Sequence, residues 1–306
     1  MIKKVLTCFK TAADVPVILR SAHRLDCHSV FQHAVNLKAG PMLVTVQAVR
    51  EPVTPCSIMV GTEAHIDFRE RLSERQDISY TDNLLRLGPG IIIKMHEAIN
   101  WQPEELSGLN ICRRKALYSL KNMSGLLSLT GKDCVFAPAA GLIFGQPLPG
   151  PKSNPYDRFA EKTETIINSF FTSFNRGLYE HAAYSASELI GLGPGLTPSG
   201  DDFLIGLTAV LQSCGGNKNN AEFMQLLRHE IGRRLRTTGD VSRNFLKFAL
   251  AGQFNEYVGL LMHQFDNEEV RLYMDTCRRL MQFGHTSGID TLWGIAGGLR
   301  LLQMSA

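Results

Sequence analysis

No stretch of this 306-residue sequence stays apolar long enough to span a bilayer, which argues against a helical membrane protein. Charge of one sign is equally scarce. Lys and Arg total 32 against 29 Asp and Glu, a formal net charge of +3, so neither a nucleic-acid partner nor a charged surface is called for. The seven cysteines include no C-x-x-C pair, so a disulfide framework or zinc knuckle is not expected, and buried free thiols in a reducing compartment are. Cys27 and His28 are neighbours in sequence, which does not make a catalytic dyad. The nine histidines lack metal-ligand spacing. The apolar start is broken by Lys10 and Asp14 before it reaches signal-peptide length, so a cytoplasmic protein is expected.

What is present is an ordinary globular composition, 44% hydrophobic and 20% charged, on a chain long enough for two moderate domains. Short runs with β-branched residues, Met42–Gln47 and Cys56–Val60, are separated by Gly40-Pro41, Pro52 and Pro55 and read as strands. Leu84–Leu87 and Ile91–Lys94 flank Gly88-Pro89-Gly90 as a further pair. Arg113–Met123 reads as a helix, and the proline- and glycine-rich stretch Gln146–Pro155 as a linker. Beyond it, Phe159, Ile166, Ile167, Phe170, Phe171 and Phe174 recur at helical spacing, as do Phe223, Leu226, Leu227 and Ile231. The expected class is α+β: a β-rich, barrel- or sandwich-like domain with a mixed connector over 1–150, then a mainly helical domain over 151–306.

The most informative feature is a short internal repeat. Ser199–Gly206 and Ser287–Gly294 align without a gap as Ser-Gly-x-Asp-x-Leu-x-Gly. Thr197-Pro198 before the first copy has the order of an N-cap hydroxyl followed by proline at the first helical position, so a helix is expected to begin there. Helix starts favour anions, because the first N–H groups lack intrahelical partners and the dipole is positive. Gly193, Gly195, Gly200 and Gly288 let a phosphate or carboxylate approach, while Thr197, Ser199, Thr286 and Ser287 offer hydroxyl donors. Asp201, Asp202 and Asp290 would instead hold Mg²⁺, orient an amide or take up a proton, and His285 would donate to an oxyanion or act as general acid. Gly206 and Gly294 lie one turn after Asp202 and Asp290, so the two helices are expected to pack as a pseudo-symmetric pair with both N-termini at one pocket. Serine, threonine and aspartate are also plain capping residues, and the repeat is what favours a site. Arg233, Arg234 and Arg236 suit a helix C-terminus, and Thr237, Thr238, Ser242 and Arg243 flank a further helix start that would add to the same pocket.

The segments Gly191–Asp202 and Gly284–Gly294 resemble the two signature segments of the AllH family, long catalogued as a domain of unknown function, and the likeness extends to Ser29–Leu37. The resemblance implies a subunit of a bacterial oxamate carbamoyltransferase, which in anaerobic allantoin breakdown converts oxalurate and phosphate to oxamate and carbamoyl phosphate. It also implies work beside two other proteins, one related to acyl-CoA synthetase subunits. The matching positions are Gly193, Gly195, Thr197, Pro198, Ser199, Asp201 and Asp202, with His285, Thr286, Ser287, Gly288 and Asp290. On this reading Gly193–Gly200 holds phosphate or carbamoyl phosphate, His285–Gly288 holds a carboxylate or oxyanion, and Asp202 and Asp290 orient the amide or a metal-bound water. Two other readings compete. Paired aspartates on separate helices also resemble the magnesium sites of ADP-ribosylglycohydrolases, with Asp201, Asp202 and Asp290 as ligands. A non-catalytic ligand-binding subunit is the other. No cofactor besides Mg²⁺ is suggested.

Overall fold

A computed structural model describes residues 4–48, 52–61, 66–73, 76–128, 134–146, 157–214 and 218–304. They belong to two compact units, Met1–Pro103 and Glu104–Ala306.

The first unit is built from β1 (Lys4–Ala12), β2 (Leu25–Val30), β3 (Ala34–Ala39), β4 (Met42–Ala48), β5 (Ser57–Gly61), β6 (Ile78–Thr81), β7 (Leu84–Leu87), β8 (Ile91–Lys94) and β9 (Ile99–Trp101), with helix α1 (Val15–Ser21) after the first strand. The strands run β5-β4-β3-β2-β6-β7-β8-β1, and a β5–β1 pairing closes them into a barrel. Of the barrel and sandwich alternatives, the barrel is the one formed. Strand β1 is its seam: it pairs in parallel with β8 through Lys4–Thr7, antiparallel with β5 through Thr7–Thr11, and in parallel with β9 through Lys10–Ala12. Among the described residues the closure is thinnest between β2 and β6, which pair at Leu25 and Ile78. Alternate residues such as Val35, Leu37, Val44, Val46, Ile58, Leu85 and Ile93 fill the interior. Strand β1 is absent from the sequence reading, because Lys4 and Lys10 interrupt the apolar run, yet Leu6 and Cys8 alternate inward as a half-buried strand requires.

The second unit is helical: α2 (Arg113–Ser128), α3 (Ala140–Phe144), α4 (Asp157–Asn175), α5 (Tyr179–Ser187), α6 (Ser199–Gln212), α7 (Lys218–Arg234), α8 (Asp240–Leu250), α9 (Glu256–Asp266), α10 (Val270–Leu280) and α11 (Ser287–Met304). Its units divide at Pro103 and Glu104, whereas a boundary near 150 is the sequence expectation. The physical reason is α2, whose face of Ala116, Leu120, Met123, Leu126 and Leu127 shares one core with α11. The stretch expected as linker lies, beyond Gln146, outside the described residues. The periodic stripe of α4 is buried as its spacing demands, with Phe170 and Phe174 against Phe223 of α7 at ring-centroid distances of 5.8 and 5.0 Å.

Helices α6 and α11 form the centre. Both are buried almost all round, which their continuous apolar sequence after the first turn permits. They touch backbone to backbone: a Cβ on Gly206 would run into the Thr291 carbonyl, and one on Gly294 into the Phe203 carbonyl. Phe203 and Thr291 occupy equivalent positions of the repeat, so the crossing is pseudo-twofold, as the repeat predicts. Gly297 and Gly298 extend the contact, seating the Phe203 ring and Val210. Among the described residues no helix is long and apolar enough to cross a membrane.

Candidate functional site

The crossing brings the two helix starts together. Thr197 Oγ1 and Ser287 Oγ lie 2.6 Å apart, although they are 90 residues apart in sequence. The approach to α6 is a loop with Gly193 at φ +120° and Gly195 at φ +90°, where L side chains are strained. Gly193 also packs so closely that a Cβ would stand 2.6 Å from the Ser199 nitrogen. The helix itself starts one residue later than expected. Pro198, at φ −53° and ψ 141°, is the N-cap rather than the first helical residue, and its carbonyl accepts from Asp201 and Asp202 N–H at 2.9 and 3.2 Å. Thr197 is thereby released from capping and faces the start of α11.

The backbone donors at these starts are largely taken. Gly200 N–H donates to the Leu192 carbonyl at 2.8 Å, and its counterpart Gly288 N–H to the Phe283 carbonyl at 3.1 Å. Both glycines sit against carbonyls, of Leu189 and Leu280, that leave no room for a Cβ. These first-turn glycines therefore dock the helices onto preceding loops, and their N–H groups do not form the anion cradle that the sequence suggests.

The three aspartates divide into two clusters. Asp201, fully buried, accepts from Gly191 N–H at 2.9 Å, from the Ser242 hydroxyl at 2.6 Å and from the Thr238 hydroxyl. Burial raises its carboxyl above the usual range while these donors pull it back. Thr238 and Ser242 thus bolt the start of α8 to α6, and Arg243 clamps the intervening turn through the Leu235 and Thr238 carbonyls at 2.8 and 2.7 Å. That turn belongs to the scaffold rather than to the anion pocket. Arg234, placed at a helix C-terminus as its sequence position suits, has its guanidinium 5.0 Å over the Tyr184 ring.

Asp202 and Asp290 form the second cluster in a crossed pattern. Asp202 is bonded by the Ser287 and Thr197 hydroxyls, and Asp290 by those of Ser199 and Thr286. Ser287 and Ser199 are equivalents in the repeat, so each copy holds the other's aspartate. Burial, and then the Asp290 charge, pushes the Asp202 carboxyl well above the usual range. Burial pushes Asp290 up to about 6 against its hydrogen bonds. Two like-charged groups that act on one another in a dry site titrate as a pair. Cys134 completes the cluster, its Sγ 3.7 Å from Asp290 Oδ1, with burial and then the Asp290 charge driving the thiol well above its ordinary value. Nothing in the scattered cysteines signals this residue, because its partner is 156 positions away.

Asp202 is 4% exposed and Asp290 fully buried, whereas the Thr197, Thr286 and Ser287 residues that bond them are half-buried. His285, Gly195 and Leu196 are exposed around these hydroxyls in sequence. A three-carboxylate magnesium site does not fit, because Asp201 is engaged by its own three donors. Among the described residues no group of three or more His, Cys, Asp or Glu side chains is arranged to hold a metal ion.

Two family models match the chain. The AllH family N-terminal domain covers residues 10–100, the barrel, and oxamate carbamoyltransferase subunit AllH covers residues 189–299, both copies of the repeat included. No solved structure matches it. With the two matches spanning most of its length, the chain belongs to the AllH family, a family of carbamoyltransferase subunits.

Proposed function

We propose that this chain supplies the carbamoyl-binding part of an oxamate carbamoyltransferase that turns oxalurate and phosphate into oxamate and carbamoyl phosphate. The observation that carries the reading is the Thr197–Ser287 contact, which makes one junction of two helix starts. In the reaction a phosphate oxygen attacks the ureido carbonyl, the carbon becomes tetrahedral, and the C–N bond to the oxamate nitrogen breaks as that nitrogen takes a proton. On this reading the exposed Gly195–Leu196 turn takes the phosphate, and His285, exposed and next to Thr286 in sequence, moves the proton. Asp202 and Asp290 are positioning residues that fix the hydroxyls above them. Protein partners complete the enzyme, an acyl-CoA synthetase-like subunit among them.

The test is carbamoyl phosphate formation from oxalurate and phosphate by the chain with and without its partner subunits. The assembled enzyme is expected to be active, and Asp202→Asn to lower its turnover by about a hundredfold or more while remaining folded, since small misplacements of reacting groups cost that much. Unchanged turnover in the variant would remove the junction from the reaction. Product made by the chain alone would show that the partners are not needed for the chemistry.

A further inference from the structure

The motif hydroxyls, which as free groups would donate to an anion, have their protons committed inward. Thr197 and Ser287 lie within hydrogen-bond distance of each other and both bond the Asp202 carboxylate, so the two hydroxyl protons are spent inside this triangle. Around Asp290 the hydroxyls of Ser199 and Thr286 and the thiol of Cys134 supply one proton each. What the half-buried Thr197 and Ser287 turn outward is therefore lone pairs. Beneath them Asp202 Oδ2 and Asp290 Oδ2 are buried without a hydrogen-bond partner. Among the described residues no ion pair reaches either carboxyl, and the titratable groups acting on them are Asp290 and Asp201 on Asp202 and Cys134 on Asp290, none a cation. Orphaned carboxylate oxygens are costly, and a fold that keeps two of them at equivalent positions of a repeat keeps an acceptor-rich site.

A phosphate or carboxylate oxygen brought to this junction meets oxygen lone pairs, whereas an N–H group meets acceptors. The geometry points to a carbamoyl or ureido N–H₂ group, not an anion, as the part of the ligand seated between Thr197 and Ser287, with Asp202 setting that choice by holding both hydroxyls as acceptors. The class of ligand rests on the carbamoyl-transfer reading above. This placement reverses the anion preference expected of a bare helix start and sends phosphate and the substrate carboxylate to the exposed loop side.

Oxamate, whose H₂N–C=O end mimics the carbamoyl group, is nearly isosteric with oxalate and differs from it in one group, NH₂ against O⁻. Titration calorimetry of the full chain and inhibition of the assembled enzyme, both at pH 7, give the comparison. Oxamate is expected to bind about tenfold or more tightly than oxalate or inorganic phosphate, the scale of one well-made against one mismatched hydrogen bond. Thr197→Val removes a rim oxygen at constant charge and shape, and is expected to cut the preference below about threefold. Asp202→Asn places amide donors behind the hydroxyls and is expected to move the preference toward oxalate; if that variant fails to fold, Thr197→Val decides alone. Oxalate binding as tightly as oxamate, a preference untouched by Thr197→Val, or no binding of any of the three probes in either preparation overturns the proposal. An oxamate preference without carbamoyl phosphate formation by the assembled enzyme overturns the reaction and keeps the site. Turnover without the preference does the reverse.

Discussion

Replacing Gly294 by alanine is expected to cost the helical unit more than about 4 kcal/mol, the range reached only by forced overpacking or loss of a buried network. The added Cβ would press into the backbone of Phe203, and a main-chain carbonyl cannot swing aside as a side-chain end can. The helices must separate, and separation pulls Thr197 from Ser287. A matched control is Gly232, exposed on α7 with nothing within 4 Å of its would-be Cβ. Gly232→Ala is expected to be neutral or to stabilise by about 0.5–1 kcal/mol, because a helical glycine costs backbone entropy. Urea unfolding of both variants decides the matter. Equal tolerance of the two substitutions would contradict a backbone-to-backbone crossing at the centre of the unit.

Asp290→Asn is expected to stabilise the protein at pH 8 while impairing the site. Folding raises the Asp290 carboxyl from its ordinary value of 3.8 to about 6. The folded state therefore binds this proton more tightly than the unfolded chain does. The resulting stability is fully present below about pH 3.8 and is lost as pH rises through about 6. At pH 8 the ionised group costs the fold about 3 kcal/mol by linkage. Asparagine carries no such charge, and it also relieves Asp202 of its like-charged neighbour. Chemical unfolding between pH 4 and 8 is expected to show a decline for the native chain that is flattened in the variant. A variant that is less stable than the native chain at pH 8, with the decline intact, would show that the buried carboxyl is not under electrostatic load. Retaining a destabilising group at equivalent places of a repeat fits a site held for function rather than for stability.

Much of this architecture is legible in the sequence because it rests on local chemistry. The bounds of β7 and β8 follow from apolar runs around a Gly-Pro-Gly turn, and the α4 stripe follows from spacing. The repeat predicts the α6–α11 crossing, since glycines one turn after matched aspartates are of use only where something packs close. What escapes is long-range. Strand β1 becomes recognisable through its three strand partners, not through its lysine-broken run. Asp201 looks like half of an acidic pair, yet its partners Thr238 and Ser242 come from 37 and 41 residues downstream. Pro198 takes the cap that Thr197 was suited to, because Thr197 is bonded to the other copy of the motif. The direction in which a hydroxyl donates is fixed by the carboxyl behind it, and no sequence pattern records that.

The central claim is that the junction of the two helix starts is where the substrate's carbamoyl end sits. The most direct measurement is a crystal structure of the full chain with oxalurate bound. The account predicts oxalurate with its terminal ureido nitrogen within hydrogen-bond reach of Thr197 Oγ1 and Ser287 Oγ and its carboxylate toward His285. Oxalurate seated with its carboxylate on those hydroxyls, or bound instead in the barrel unit's cavity of about 370 Å³ beside Arg20, His23 and Arg24, would contradict it.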